Sequence, residues 1–569
     1  MHKNIFHLGI LLLIIFLAAF LRFFHLGSVP TSLTIDEIGN GYNAYSLSKT
    51  GRDEWGIKLP PYFRSTGDYD APVLIYLMVP PVWLFGLNEF ATRVPSALLS
   101  LLVTPFVYLL CRKYLLKNKS VWFSLAAAFF YATSQWSIFF GRSGFEAVIA
   151  LGFVIPNIYL LFRGIEKKSP WYFYLGLILA CISTISYSSN KIFTPLINLL
   201  FIIIYRKDLW AIFQQEIKNK KWRLGVFLVL FSALLIYLAK TYLFGPGAVR
   251  AGMVFFTNDF DYRRGILENL PSQYQSLLGL PMLVFFWIKR FLEYFSLNFY
   301  TISGLGLTLP GHPGAGVINM ALFPLFVIGF LATLIKDKDQ NTKKAKYFIL
   351  GWFLIGLLPA TLANNSQHAL RTLNSSVAAM IMSALGLSVV IEFLAKKSKK
   401  LIIIFFSTFF LFFVFDLVRF SDYYVVHYSY ELSEGRGYGW KEMAIFADKV
   451  HSQYDNVYVD PRFGSEGRTN YGVPYSYFQF HSQYDPQTFH DYPGRDKFIS
   501  DFENYHFLEL DFNQSEEIKG NNLYIASPWS FPDNLKNAKH IVYEVKYPNG
   551  KTAFYAITNK EINETNNQK

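Results

Sequence analysis

Long apolar runs separated by short polar segments dominate the first 420 residues. They fall at about 5–21, 90–111, 120–140, 145–162, 171–187, 192–205, 224–243, 319–335, 347–363, 371–394 and 401–418. Each is near the length that a bilayer core demands of a helix, so the pattern predicts about eleven transmembrane helices. The first run ends in Arg22-Phe-Phe-His25 rather than in a small-residue cleavage site, which predicts a retained span. A further apolar stretch, Ala71 to Phe85, contains three prolines, and it is read with about 281–299 as an interfacial or re-entrant helix.

After residue 419 the pattern changes to short alternating segments. Val457–Val459, Tyr475–Phe480, His506–Phe512, Leu523–Ala526 and Ile541–Val545 read as strands, with a helix over Lys441–His451 before them. Pro548-Asn549-Gly550 marks a hairpin turn between 541–547 and 552–558. The expected fold class is therefore a polytopic α-helical membrane protein over 1–420, followed by a small soluble α/β domain over 421–569.

Composition agrees with a bilayer as the main solvent, since 52% of the 569 residues are hydrophobic and 16% charged. The net charge of +13 could suggest nucleic acid. The lysines and arginines instead gather between alternate runs: Arg112 to Lys119, Arg163 to Lys168, Arg206 to Arg223, Lys336 to Lys346 and Lys396 to Lys400. That is the footprint of topology and excludes a nucleic-acid role. All five clusters face the cytoplasm if the N-terminus is inside and everything beyond about 419 is outside. The chain is then a multi-pass protein of the cytoplasmic (inner) membrane with an extracytoplasmic C-terminal domain. Two outer segments, 25–89 and 244–318, become long loops, and long loops in compact proteins usually carry function. The two cysteines, Cys111 and Cys181, sit in apolar runs and provide no disulfide framework.

Asp36 and Glu37 stand about ten residues past the first run, early in the first outer loop. Adjacent acids there read first as solvated charges or as the start of a helix, and second as a general base for a hydroxyl attacking a lipid-borne group. The motifs around them narrow the choice. Arg22-Phe-Phe-His-Leu-Gly27, Asp36-Glu37, Gly41-Tyr42-Asn-Ala-Tyr45, Gly51-Arg-Asp-Glu-Trp-Gly56, Asp68-Tyr-Asp70 and Arg93-Val-Pro95 together resemble the prokaryotic GT-C glycosyltransferases. More narrowly, their order is similar to that of protein O-mannosyltransferases and lipid A aminoarabinose transferases, over roughly residues 5–420.

The resemblance implies a glycosyltransferase using a polyprenyl-phosphate sugar donor, with amphipathic helices in a long first outer loop. It makes Asp36 the expected general base and Glu37 its supporting neighbour, and implies substrate contacts at Asp68, Asp70, Arg93 and Glu146. A phosphate leaves without protonation, so a base and some cations suffice. With a monophosphate donor the resemblance implies neither metal nor cofactor, and the chain has no His or Cys cluster at ligand spacing to suggest otherwise. Many relatives carry a lysine just before the proline matching Pro72; here the residue is Ala71. Arg142, Lys191, His368 and Arg371, at outer ends of spans, are the candidates to bind the donor phosphate instead, although boundary arginines also serve as snorkelling anchors. In the second outer loop, Arg250, Asp259, Asp261, Arg263, Arg264 and His312 read as an irregular lid.

Two other classes compete, a flippase of lipid-linked saccharides and a non-catalytic scaffold presenting the outer domain. A flippase would place polar residues at mid-membrane, whereas polarity here collects in outer loops. No motif identifies the sugar, or whether the acceptor is a protein, a glycolipid or a polymer; the outer domain is expected to bear on acceptor choice.

Overall fold

Every apolar run of the first 420 residues carries a helix in the computed structural model, which describes residues 2–65, 68–243, 255–258, 271–305, 314–364, 367–431, 433–465, 469–491, 501–512, 520–536 and 540–560. In chain order the helices are α1 (His2–Phe23), α2 (Ile35–Thr50), α3 (Pro72–Phe85), α4 (Glu89–Leu110), α5 (Val121–Ala132), α6 (Gln135–Gly141) and α7 (Glu146–Lys167). Then come α8 (Pro170–Ser186), α9 (Asn190–Leu243), α10 (Ser272–Glu293), α11 (Phe323–Leu334), α12 (Gln340–Thr361), α13 (Leu373–Ala395) and α14 (Lys399–Asp422). The C-terminal region adds α15 (Tyr428–Glu431), α16 (Trp440–Val450), α17 (Pro474–Ser482) and α18 (Pro486–His490). Among the described residues, five helical stretches are long and apolar enough to cross a membrane: Ile5–Phe23, Glu89–Leu115, Glu146–Lys167, Leu373–Ala395 and Lys399–Tyr430. Four shorter apolar helices accompany them, α3, α5, α8 and α11. The chain is thus a multi-pass α-helical membrane protein.

Three expected spans turn out differently. The runs 192–205 and 224–243 belong to one continuous helix, α9, of 54 residues. The charged segment between them, Arg206 to Arg223, contains neither glycine nor proline, so nothing interrupts the helical hydrogen bonding. The run 120–140 is instead broken, α5 ending at Ala132 and α6 starting at Gln135.

The chain forms two compact units. One comprises Met1–Phe24 with Ser96–Ser421, the other His25–Pro95 with Asp422–Lys569. Within the first, α11 and α13 touch backbone to backbone. A Cβ on Gly329 would stand 1.8 Å from the Met382 carbonyl oxygen, and one on Gly386 1.9 Å from that of Leu325. Small residues at such crossings are how helices pack where apolar burial gives no net drive.

The second unit joins residues 25–95 to the C-terminal region. Its five-stranded sheet uses β3 (Asn456–Val459), β6 (Tyr505–Phe507), β7 (Asn522–Ala526), β8 (Ile541–Lys546) and β9 (Thr552–Thr558), ordered β6-β3-β7-β9-β8. β3 runs parallel to β6 and β7, while β9 is antiparallel to β7 and β8. The β8–β9 hairpin turns where Pro548-Asn549-Gly550 predicts it, with Gly550 at φ +82°. One expected strand is a correction: Tyr475 to Phe480 lies in α17. Its aromatic content mimics a strand, but Pro474 fixes the first helical turn and Gln483 closes the helix in the left-handed region. Within residues 25–95, α2 stands on α17 and α18, and α3 follows a two-stranded hairpin, β1 (Phe63–Ser65) with β2 (Asp68–Asp70).

Candidate functional site

Thr34 starts α2 by a reciprocal cap. The Glu37 amide donates to Thr34 Oγ1 at 3.3 Å, and the Thr34 amide donates to Glu37 Oε2 at 2.9 Å. This places Asp36 and Glu37 in the first helical turn, where the backbone dipole favours negative charge. Their environments then diverge. Glu37 is fully buried, whereas Asp36 is exposed.

Glu37 is held by two guanidinium groups. Arg93 Nε donates to Oε1 at 3.0 Å, and Arg436 Nη2 lies 3.5 Å from Oε2. Arg93, also fully buried, spends its remaining donors on the loop before α2, with Nη1 on the Leu26 and Pro30 carbonyls at 3.0 and 2.9 Å and Nη2 on that of Ser32 at 2.9 Å. Arg436 donates to the Ser32 carbonyl at 3.1 Å and to the Tyr428 hydroxyl at 2.6 Å. The resemblance implies a substrate contact at Arg93; in the structure its Nε, Nη1 and Nη2 donors go to Glu37 and the loop carbonyls, which it anchors. Sequence reasoning missed Arg436. It lies 399 residues from Glu37, and no local pattern connects the two.

The rest of the loop motif is structural in its contacts. Asp53 Oδ1 accepts from the amides of Trp55 at 3.0 Å and Ile57 at 2.8 Å, closing the Arg-Asp-Glu-Trp-Gly turn. Glu54 and Asn43 bond reciprocally, fastening that turn to α2. Asp68 and Asp70 bound β2, and Asp70 is buried. Ala71, where relatives carry a lysine, is the N-cap of α3 with Pro72 behind it, so no cation stands there.

In the first unit, the four expected phosphate contacts fall in three separate surroundings. Arg142 is buried and donates through Nη1 to the carbonyls of Leu21 at 3.0 Å and Arg22 at 3.3 Å, the last turn of α1. Glu146 is the first residue of α7 and half-buried, and Lys191 lies half-buried in the first turn of α9. His368 and Arg371 share the segment between α12 and α13. The His368 amide donates to the Tyr294 hydroxyl at 2.9 Å, and Gln367 Nε2 donates to the Glu293 carbonyl at 2.7 Å. Arg290 reaches the same segment by donating to the Ala363 carbonyl. Burial, and then the charge of Arg371, pull the His368 imidazole down to about 4. At neutral pH it is uncharged, so Arg371 supplies the positive charge of that pair. Arg250, Asp259, Asp261, Arg263, Arg264 and His312 lie outside the described residues.

Buried polarity also occurs in the helices. Arg22, fully buried in α1, donates to Ser100, Ser137 and the carbonyls of Ala18 and Ala132. Asp416 of α14 accepts from Gln135 at 2.7 Å and pairs with Arg419 at 2.7 Å. Arg22 sits in the last turn of α1, and Asp416 about midway along the helical stretch Lys399–Tyr430. Among the described residues, no three His, Cys, Asp or Glu side chains gather as a metal site.

Comparison with solved structures finds ArnT from Cupriavidus metallidurans, in its apo state and bound to undecaprenyl phosphate. Each shares 11% identity with a TM-score of 0.49, over 98% of this chain and 98% of the other. The archaeal oligosaccharyltransferase AglB from Archaeoglobus fulgidus, in complex with an inhibitory peptide and a dolichol-phosphate, shares 14% identity with a TM-score of 0.46 over 84% of this chain. This chain spans only 64% of the length of AglB. No curated protein sequence matches it. Residues 70–237 match the family described as dolichyl-phosphate-mannose-protein mannosyltransferase.

Proposed function

We propose that the protein is a glycosyltransferase that moves a sugar from a polyprenyl-phosphate donor to an acceptor hydroxyl outside the cytoplasmic membrane, with Asp36 as general base. The observation that carries this reading is the division of labour in the acidic pair. Glu37 is buried and bound by Arg93 and Arg436, while its neighbour Asp36 is exposed on the same first turn of α2. A base must reach the proton that it takes, and a fixed neighbour holds it in place. The family match over 70–237 supports the donor class.

In the reaction, the Asp36 carboxylate accepts the proton of the acceptor hydroxyl as its oxygen attacks the anomeric carbon from the face opposite the phosphate. The bond from the anomeric carbon to the phosphate oxygen breaks, and the lipid phosphate leaves with the electron pair. The sugar is transferred with inversion. Arg142, Lys191 and Arg371 are assigned to the donor phosphate as cations, and His368 as a neutral hydrogen-bonding group. Asp68, Asp70 and Glu146 are assigned to substrate, and Arg93 is a positioning residue acting through Glu37. The flippase alternative requires charges deep in the membrane. The buried Arg22 lies instead in the last turn of α1, which favours surface chemistry.

The decisive comparison is Asp36→Asn against wild type, with radiolabelled lipid-linked sugar as donor and membrane extract as acceptor. Transfer falls roughly 100- to 10,000-fold while the variant inserts and melts as wild type does. Transfer at the wild-type rate overturns the assignment of Asp36, and lipid-linked sugar crossing liposomes without transfer establishes the flippase instead. Orientation is checked by single cysteines in a chain lacking Cys111 and Cys181. A membrane-impermeant maleimide labels Thr488→Cys but not Asn118→Cys in intact cells.

A further inference from the structure

We infer that the first unit holds a binding site for an anionic phospholipid, with its headgroup in a basic cavity after α4 and an acyl chain in the apolar groove beside α5. The cavity encloses about 760 Å³ and the groove about 830 Å³. Asn118 and Lys119 line both, so the two spaces adjoin at those residues.

The cavity forms where α4 widens into a π-helical turn, Cys111–Leu115, before the chain reverses into α5. Such turns leave the regular helix geometry and recur at functional sites. Five cations line it (Arg112, Lys113, Lys117, Lys119 and Lys346) against three carboxylates. The carboxylates are already engaged. Asp337 takes Lys346 at 3.3 Å, Asp339 accepts from Asn118 at 3.0 Å and caps α12, and Glu166 is bound by Arg163 at 2.8 Å. Lys119 pairs with Glu392 at 2.6 Å. Lys113 donates to the Tyr159 hydroxyl at 3.4 Å, and Arg112 and Lys117, both exposed, make no ion pair among the described residues. The cavity therefore has two cations in excess and anion-binding capacity to match.

The groove has the opposite character. Ile10 and Ile14 of α1, Leu125 and Phe129 of α5, and Leu387 and Ile391 of α13 form its walls. At its junction with the cavity, Trp122 is half exposed and meets His7 edge to face at 5.4 Å and Phe6 at 6.2 Å. Indole and imidazole rings at one helix end mark the headgroup level of a bilayer. A basic pocket at that level, opening into an apolar groove, matches a phosphodiester on an acyl chain. This site is distinct from the assigned donor contacts. Glu146 and Glu166 lie on α7, and the 22 residues of that helix span about 33 Å. The positive-inside rule explains why basic residues collect here; it does not require a cavity continuous with a groove.

The test is native mass spectrometry of the full chain after delipidation, with phosphatidylglycerol and phosphatidylcholine of identical acyl chains, and with inorganic phosphate as competitor. Phosphatidylglycerol is retained about tenfold over phosphatidylcholine. The double variant Arg112→Gln, Lys117→Gln abolishes that preference, and Ala126→Trp, which fills the groove, lowers retention of the phosphatidylglycerol while its melting temperature reports intact folding. Equal retention of the two lipids overturns the inference, as does a preference unchanged in both variants. Displacement by inorganic phosphate at equimolar concentration also overturns it, because the site would then read the anion without the chain.

Discussion

Glu37 has no exposed surface, and its carboxylate serves Thr34, Arg93 and Arg436 at once. Removing one partner of such a buried pair leaves an uncompensated charge. Arg93→Met should therefore cost about 3–5 kcal/mol and lower the melting temperature of the purified protein, with the loop 25–34 losing its anchor. Asp36→Asn should leave the melting temperature within about 0.5 kcal/mol of wild type, since an exposed carboxylate near a helix N-terminus contributes little. A large thermal loss in Asp36→Asn would make it a structural residue. The acidic pair was legible because its adjacency is local; the Thr-x-x-Glu spacing that caps α2 is equally local, and the sequence reading did not use it. What distinguishes its members was not legible, since the burial of Glu37 depends on Arg93 and Arg436, far away in sequence.

α2 docks through a glycine. A Cβ at Gly41 would stand 2.6 Å from the Phe480 ring and 3.0 Å from the Thr92 hydroxyl, so the helix rests directly on α17. Gly41→Leu should displace α2, lower the melting temperature by an amount typical of core overpacking, about 1–3 kcal/mol, and reduce transfer with it. Gly41→Leu with unchanged stability would mean that α2 and α17 part readily. The same helix α17 carries His481, which burial pulls down to about 4; the Glu89 carboxylate opposes that shift and the Lys441 ammonium adds to it. An unfolded histidine takes its proton near 6.5, while the folded one refuses it until about 4. The second unit is thus at full stability above about pH 7 and loses stability as pH falls through 6.5 towards 4. Because the ring keeps some exposure, the loss at pH 5 is roughly 1 kcal/mol. Melting curves from pH 7.5 to 5 should show the decline, and His481→Phe should flatten it. α17 was the element sequence reading mistook for a strand: its alternating aromatics fit a half-buried strand, and only Pro474 hinted at a helix start. α9 shows the converse, where a cluster of charges suggested a loop although nothing in its residues breaks a helix.

At the scale of the whole molecule, the compact units do not follow the order of the chain. The membrane-spanning pattern made the division near residue 420 legible, because composition changes there. It gave no sign that 25–95 folds with 422–569, because such a pairing is built from single long-range contacts: Tyr42 donating to the Tyr484 carbonyl at 3.1 Å, His490 bonded to the Asp53 carbonyl at 2.6 Å, Lys441 paired with Glu89, and Arg436 on Glu37. These contacts change what the C-terminal region is expected to do. A region that only selected the acceptor could be deleted with transfer to some acceptor surviving. Deleting everything after residue 425 instead removes α17 and α18, on which α2 stands, and Arg436, which holds Glu37. The truncated chain should insert into the membrane, as the spans of the first unit are intact, yet transfer no sugar to any acceptor and release none to water. If it still cleaves the lipid-linked donor at a rate within tenfold of the full chain, α2 keeps Asp36 in place without its support, and the C-terminal region acts on the acceptor alone.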